Sequence, residues 1–176
     1  MRRAVFLDRD GVINVKAPEG RYITRWEEFQ FLPDVAGAIA ILNQAGFSVI
    51  VVSNQRGVGR ALMTVDALEV IHSRMLAELA TSGAKIDAIY YCPHDLGARC
   101  ACRKPEPGML LRAATDHAID LRNSWMVGDS DGDILAGKRA GCRTVRIVRE
   151  DAAADVPSDL TCRSLDEAVR VIIKEP

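Results

Sequence analysis

Short apolar runs that end in polar clusters alternate along the chain with longer stretches whose apolar residues recur at helical spacing. Ala4 to Leu7 is apolar throughout and ends in DRDG, and Val49 to Val52 is β-branched throughout and ends in SNQRG. Runs this short, with no polar position, predict strands buried on both faces. Between them Val35, Ala38, Ile39, Leu42 and Ala45 predict a helix, with Asp34 capping its start and Gly46 closing its end. Thr64 opens a longer amphipathic helix that carries Leu68, Ile71, Met75, Leu76 and Leu79 and stops at Ser82-Gly83, before a strand from Ile86 to Tyr91. A loop rich in Cys, Arg and Pro leads to a helix from Gly108, a strand from Trp125 to Val127, a helix around Ile134 to Ala140 and a strand from Thr144 to Val148. Residues 151–159 read as a loop, and Ser164 with Glu167 reads as a capping box for a last helix through Val169, Val171 and Ile172.

This alternation predicts a single α/β domain over residues 1–176: a doubly wound parallel sheet with helical crossovers on both faces. In such a sheet the site lies at the carboxyl ends of the strands, which here read DRDG, SNQRG, CPH and GDSDGD. Each cluster alone is ordinary turn chemistry. Four in a row at successive strand ends predict one shared site.

Composition narrows the function classes. With 176 residues, 48% hydrophobic and 27% charged, the chain has the make-up of a soluble globular protein. Its 23 basic and 24 acidic residues leave a net charge of -1, without the broad basic field of a general nucleic-acid binder. Only four apolar residues precede the aspartate in MRRAVFLDRD, so neither a signal peptide nor a membrane span is expected, and the reading is a cytoplasmic monomer.

Asp8 and Asp10, two apart on an extended segment, point into one pocket, and Gly11 turns the chain sharply away. Their mutual repulsion calls for a divalent cation, and Asp129 at a neighbouring strand end adds a third oxygen ligand of the kind Mg2+ prefers. With one carboxylate held ionised, Asp8 is placed to attack phosphorus. Asp10, read as free at its side chain, is placed to protonate the leaving oxygen and then to take a proton from water. Ser53 offers a hydrogen bond and Lys104 a positive charge to the phosphoryl oxygens. Asp133 has two equal readings, as orienter of metal-bound water or as helix cap.

Cys92, His94, Cys100 and Cys102 lie within eleven residues and make a full tetrahedral shell for Zn2+, which predicts a structural zinc that staples the loop and delivers Arg103 and Lys104 to the pocket. Cys142 and Cys162 read as buried apolar residues. His72 and His117 read as surface or helix-end residues, and Trp26 and Phe29 as anchors of their loop.

DRDGVIN, SNQRG, CRKPEPGM and VGDSDGDI, in this order, resemble the four motifs of the haloacid dehalogenase superfamily and look most like its D-glycero-D-manno-heptose 1,7-bisphosphate 7-phosphatase branch. Short cysteine loops of this spacing also resemble the related histidinol-phosphate phosphatases, but PEPGM after Lys104 is a feature of the heptose branch. The likeness covers about Val5 to Val148. It implies an aspartyl-phosphate on Asp8, acid/base work by Asp10, phosphoryl stabilisation by Ser53 and Lys104, and Mg2+ on Asp8, Asp129 and the backbone carbonyl of Asp10. It also places Asn54, Gln55, Arg56, Arg103 and Ser130 among the contacts to a sugar bisphosphate, the expected substrate. The superfamily often carries an inserted cap domain, for which this sequence has no room, so specificity is expected from loops, with Arg56, Arg60 and Arg103 facing the second phosphate. A phospho-receiver module has a comparable acidic site, but its acidic pair is adjacent rather than split as Asp8-Arg9-Asp10.

Overall fold

The computed structural model describes residues 1–148 and 155–175. Six strands, β1 (Ala4–Leu7), β2 (Ser48–Asn54), β3 (Ala88–Cys92), β4 (Trp125–Gly128), β5 (Arg143–Ile147) and β6 (Leu160–Cys162), form one sheet in the order β3-β2-β1-β4-β5-β6. All neighbouring pairs are parallel. The chain winds outward from β1 in one direction and from β4 in the other, so the topological switch point falls between these two strands.

The helices are α1 (Val35–Gln44), α2 (Arg56–Gly59), α3 (Val65–Thr81), α4 (Gly108–His117), α5 (Asp131–Ala140) and α6 (Leu165–Ile172). Strand parity sorts the core. Val5, Leu7, Val49, Val51 and Val127 pack with the buried residues of α1, α3 and α6. Ala4, Phe6, Ile50, Val52 and Met126 pack with those of α4 and α5. Both faces are therefore dry, which is why the strands read as unbroken apolar runs. Among the described residues there is no cap domain, and no helix is long and apolar enough to cross a membrane.

Local expectations fail in a few places for definable reasons. Asp34 does not cap α1 with its side chain; it adopts a left-handed φ of 61°, and its carbonyl accepts from Ala38 N at 2.9 Å. Ser164 Oγ accepts from Glu167 N, but the Glu167 carboxylate accepts from Arg163 N rather than from the cap residue, so that box is half formed. Leu160–Cys162 is a sixth strand hidden from the sequence by its three-residue length; of the loop read at 151–159, residues 151–154 lie outside the described residues. Ala45 and Leu76 are exposed rather than buried. Trp26 stacks on Phe29 at 5.0 Å and both join the core, as expected of an anchor.

Candidate active site

The ladder between β1 and β4 continues through Asp8 N, which donates to Val127 O at 3.0 Å, and so fixes Asp8 at the mouth of the sheet. A cavity of about 350 Å³ opens there. Lys104, only 5% exposed, reaches the floor with its ammonium 2.9 Å from Asp8 Oδ1 and 2.6 Å from Asp133 Oδ1, and donates to Val52 O at 2.6 Å. One hydrogen bond and two ion pairs thus hold the ammonium. Burial alone would lower the Lys104 pKa, but Asp133 and Asp8 outweigh it and hold the amine charged.

Of its two readings, Asp133 takes up that of helix cap. Its Oδ2 accepts from Ser130 N and Oγ at 3.0 and 2.6 Å, completing the capping box of α5, while its other oxygen faces Lys104. Asp8, Asp129 and Asp133 bring ligand oxygens within 4.8 Å of one another. Two of them, Asp8 and Asp133, share the buried Lys104, and the Asp129 Oδ1 atom is buried with no hydrogen-bond partner among the described residues. That donor set fits a hard divalent cation. Gly11 keeps the place open: its φ is +97°, and a Cβ there would lie 2.3 Å from Asp129 Oδ2.

Asp10 is not free at its side chain. Its carboxylate accepts twice from Arg9 Nη2 at 3.0 and 2.9 Å, from Asn14 Nδ2 at 2.9 Å and from Gln55 Nε2 at 3.0 Å. Burial would raise its pKa, but the Arg9 guanidinium and these hydrogen bonds together hold it below the usual carboxylate range. The same Gln55 Nε2 donates to Ser53 Oγ at 2.7 Å, so one amide ties together Asp10 and the hydroxyl read as a phosphoryl donor. Ser53 is buried behind Gln55 and does not line the cavity.

The other sequence-selected residues divide sharply. Asn54 and Arg103 line the cavity, but Asn54 uses its amide as a staple, donating to Lys104 O and accepting from Lys104 N at 3.1 Å each. Ser130 also lines it, with its hydroxyl committed to Asp133. Arg56 is drawn into an ion pair with Asp95 and does not line the cavity, because the start of α2 turns it toward the cysteine loop. Arg60 lies over the ring of Tyr22 at 6.0 Å. In the cysteine loop, Cys92 Sγ is 3.4 Å from His94 Nδ1, 3.7 Å from Cys100 Sγ and 3.1 Å from Cys102 Sγ, with His94 Nδ1 3.3 Å from Cys102 Sγ. Zinc–ligand bonds of about 2.0–2.3 Å set tetrahedral edges of roughly 3.3–3.8 Å, so the cluster has the size of a zinc shell.

Two groups escaped the sequence reading. Lys16, Arg21 and Tyr22 line the cavity from the loop that follows β1, with Lys16 Nζ 2.8 Å from Asp129 Oδ2. The signal was the span between Gly11 and Val35: its base is pinned by Val15 N to Gln30 O and Leu32 N to Ile13 O, leaving the tip over the strand ends. His72, expected at the surface, is 3% exposed and lies 3.4 Å from Arg9 Nη1. Its neighbours on α3 read as a core stripe, and an Arg buried at position 9 was the missing clue.

Residues 101–168 match the model of the HAD-hydrolase-like family. The chain is 41% identical over 157 residues to a D-glycero-beta-D-manno-heptose-1,7-bisphosphate 7-phosphatase of Rhodopseudomonas palustris, covering 85% of this chain and 86% of that one. A protein of the same description from Pseudomonas aeruginosa is 40% identical over 83% of this chain and 81% of its own. The solved D,D-heptose 1,7-bisphosphate phosphatase of B. bronchiseptica, complexed with magnesium and phosphate, superposes with a TM-score of 0.92 at 34% identity and covers 99% of both chains. Carboxylates at the switch point, a buried lysine from the cysteine loop and these likenesses agree: the chain belongs to the heptose-bisphosphate phosphatase family of HAD-like hydrolases.

Proposed function

We propose that the chain hydrolyses the 7-phosphate of D-glycero-D-manno-heptose 1,7-bisphosphate. The observation that carries the chemistry is the cluster of Asp8, Asp129 and Asp133 at the sheet switch point, with buried Lys104 on Asp8 and Asp133. The substrate rests on relatives named for that reaction, some at 40–43% identity.

Asp8 is the nucleophile: an oxygen attacks phosphorus, the bond to the sugar oxygen breaks, and an aspartyl-phosphate forms. Asp10, within the same mouth, gives its proton to the leaving oxygen and afterwards takes one from the water that cleaves the acyl phosphate. For that exchange Gln55 must release Asp10 Oδ2, the oxygen it caps, and the same movement frees Ser53 Oγ for a phosphoryl oxygen. Lys104 balances charge on the phosphoryl group while staying fixed by Val52 O. Mg2+ is the fitting cation for Asp8, Asp129 and the Asp10 carbonyl, with Asp133 beside them, and its chemistry is charge neutralisation at the attacking carboxylate and the phosphoryl oxygens. Zn2+ on Cys92, His94, Cys100 and Cys102 is structural, since four protein ligands leave no position for substrate. Arg103, together with Lys16 and Arg21, supplies the cations on the cavity wall for the second phosphate, in place of Arg56. We further take the chain to be one cytoplasmic, monomeric domain.

The test is a comparison of kcat/KM for the heptose bisphosphate, fructose 1,6-bisphosphate and histidinol phosphate. The heptose bisphosphate is expected to be best by a wide margin, and histidinol phosphate worst, because its ammonium would face the rim cations. Histidinol phosphate as best substrate would overturn the substrate reading and leave the roles of Asp8 and Lys104 standing.

A further inference from the structure

Behind Asp10, away from the cavity, lies a buried array that the proposed reaction leaves unused. Arg9 is fully buried, and strand alternation turns its side chain toward the face covered by α3. One end of its guanidinium, Nη2, spans both oxygens of Asp10. The other end, Nη1, lies 3.4 Å from His72 Nε2, and Nε has no partner. The Phe29 ring centre is 6.0 Å from the guanidinium carbon, and the His72 ring is backed by Tyr91 at 5.6 Å. Among the described residues, this planar fork with five donors is hydrogen-bonded at its two ends alone. Turning the plane to improve one would loosen the other.

His72 serves Arg9 only as a neutral imidazole whose proton sits on Nδ1, leaving Nε2 as the acceptor. Burial, and then the Arg9 charge, push it down to about 4, so the ring is neutral at neutral pH. We propose that His72 is a positioning residue of this phosphatase: its Nε2 lone pair holds the Arg9 guanidinium, which in turn fixes the plane of the Asp10 carboxylate at the cavity mouth. The inference rests on Asp10 acting as the acid, as argued above.

Three variants, His72→Leu, His72→Gln and Asp10→Asn, separate the ideas when each is assayed on the heptose bisphosphate and on 4-nitrophenyl phosphate. The sugar alkoxide needs a proton to leave, whereas nitrophenolate does not. For His72→Leu, kcat on the sugar ester is expected to fall about tenfold or more at unchanged KM, with the pre-steady-state burst of nitrophenolate little changed. His72→Gln, whose amide oxygen falls near the place of Nε2, should keep most of the activity. An equal loss on both substrates, no loss at all, or equal behaviour of the Leu and Gln variants would overturn the proposal. If His72→Leu does not fold, the 15N shifts of His72 in the wild-type protein decide: an unprotonated Nε2 between about pH 6 and 8 supports the assignment, and a protonated Nε2 overturns it. Should Asp10→Asn itself lose equally on both substrates, the acid role of Asp10 falls, and with it the role of His72; a leaving-group effect in Asp10→Asn without one in His72→Leu sinks the His72 proposal alone.

Discussion

Asp8 and Asp10 stand two residues apart on one strand end, yet their surroundings push them in opposite directions. Around Asp8, acidic groups outnumber cations: Asp129 and Asp133 lie within 4.8 Å, and the one buried lysine is shared with Asp133. Burial first, and then the Asp133 charge, raise the Asp8 carboxyl to about 7 against the partial offset of Lys104. Around Asp10 the donors are in excess, and Arg9, Asn14 and Gln55 outweigh burial to keep it ionised. In the protein alone this order is the reverse of what a nucleophile and an acid require. Ligands restore it. A divalent cation among the acidic groups lowers Asp8, and a phosphoryl dianion brought beside Asp10 raises it.

The most damaging way to break this comparison is to neutralise either member. Asp8→Asn and Asp10→Asn are each expected to lower kcat by roughly a hundredfold or more, the scale of covalent and acid–base catalysis. Asp8→Asn should form no acid-stable phosphoenzyme. Phosphate release, with back-deamidation excluded by mass spectrometry, checks both; near-normal turnover by either purified variant refutes the assigned roles.

A lesser effect separates the two sides of the pair. Lys104, the partner of Asp8, is the second residue after the last member of the Cys/His cluster, whereas among the described residues none of the donors to Asp10 comes from that loop. Cys100→Ser, or stripping of zinc, is expected to lower kcat about tenfold by loosening Lys104, and to lower Tm. Elemental analysis should find about one zinc per wild-type chain. Full activity in zinc-free protein would show that the Asn54 staple holds Lys104 unaided.

How far the sequence revealed these surroundings depended on how they are built. The Cys/His cluster was legible because its members lie close together in the chain, and Asp8, Asp10 and Asp129 because parallel strands end at the same edge. The strands and most helices followed from apolar periodicity, since both sheet faces are covered. What stayed hidden was set by contacts distant in sequence. The donors that engage Asp10 include Gln55, forty-five residues away, and the burial of His72 depends on Arg9, sixty-three residues away. Arg56 was read as a substrate contact because nothing in the local pattern shows that Asp95 would capture it.

The pH dependence of stability is the most direct measure of the charge imbalance at Asp8. Its folded pKa of about 7 lies above the ordinary value of 3.8. Between about pH 4 and 7 the unfolded chain releases this proton while the folded metal-free protein keeps it, so stability falls as pH rises through that window. Below it both states are protonated and there is no penalty; above it both are ionised and the full penalty remains. Asp8→Asn carries no such charge. In the presence of a chelator its Tm should match wild type near pH 4, exceed it progressively as pH rises, and level off above about pH 7. For a chain of this size each kcal/mol appears as about 2–4 °C. Saturating Mg2+ should erase or reverse the difference, because only the wild-type carboxylate gains from the cation. A gap in Tm that ignores pH would mean that Asp8 is not held protonated by burial and Asp133, and the contrast with Asp10 would rest on geometry alone.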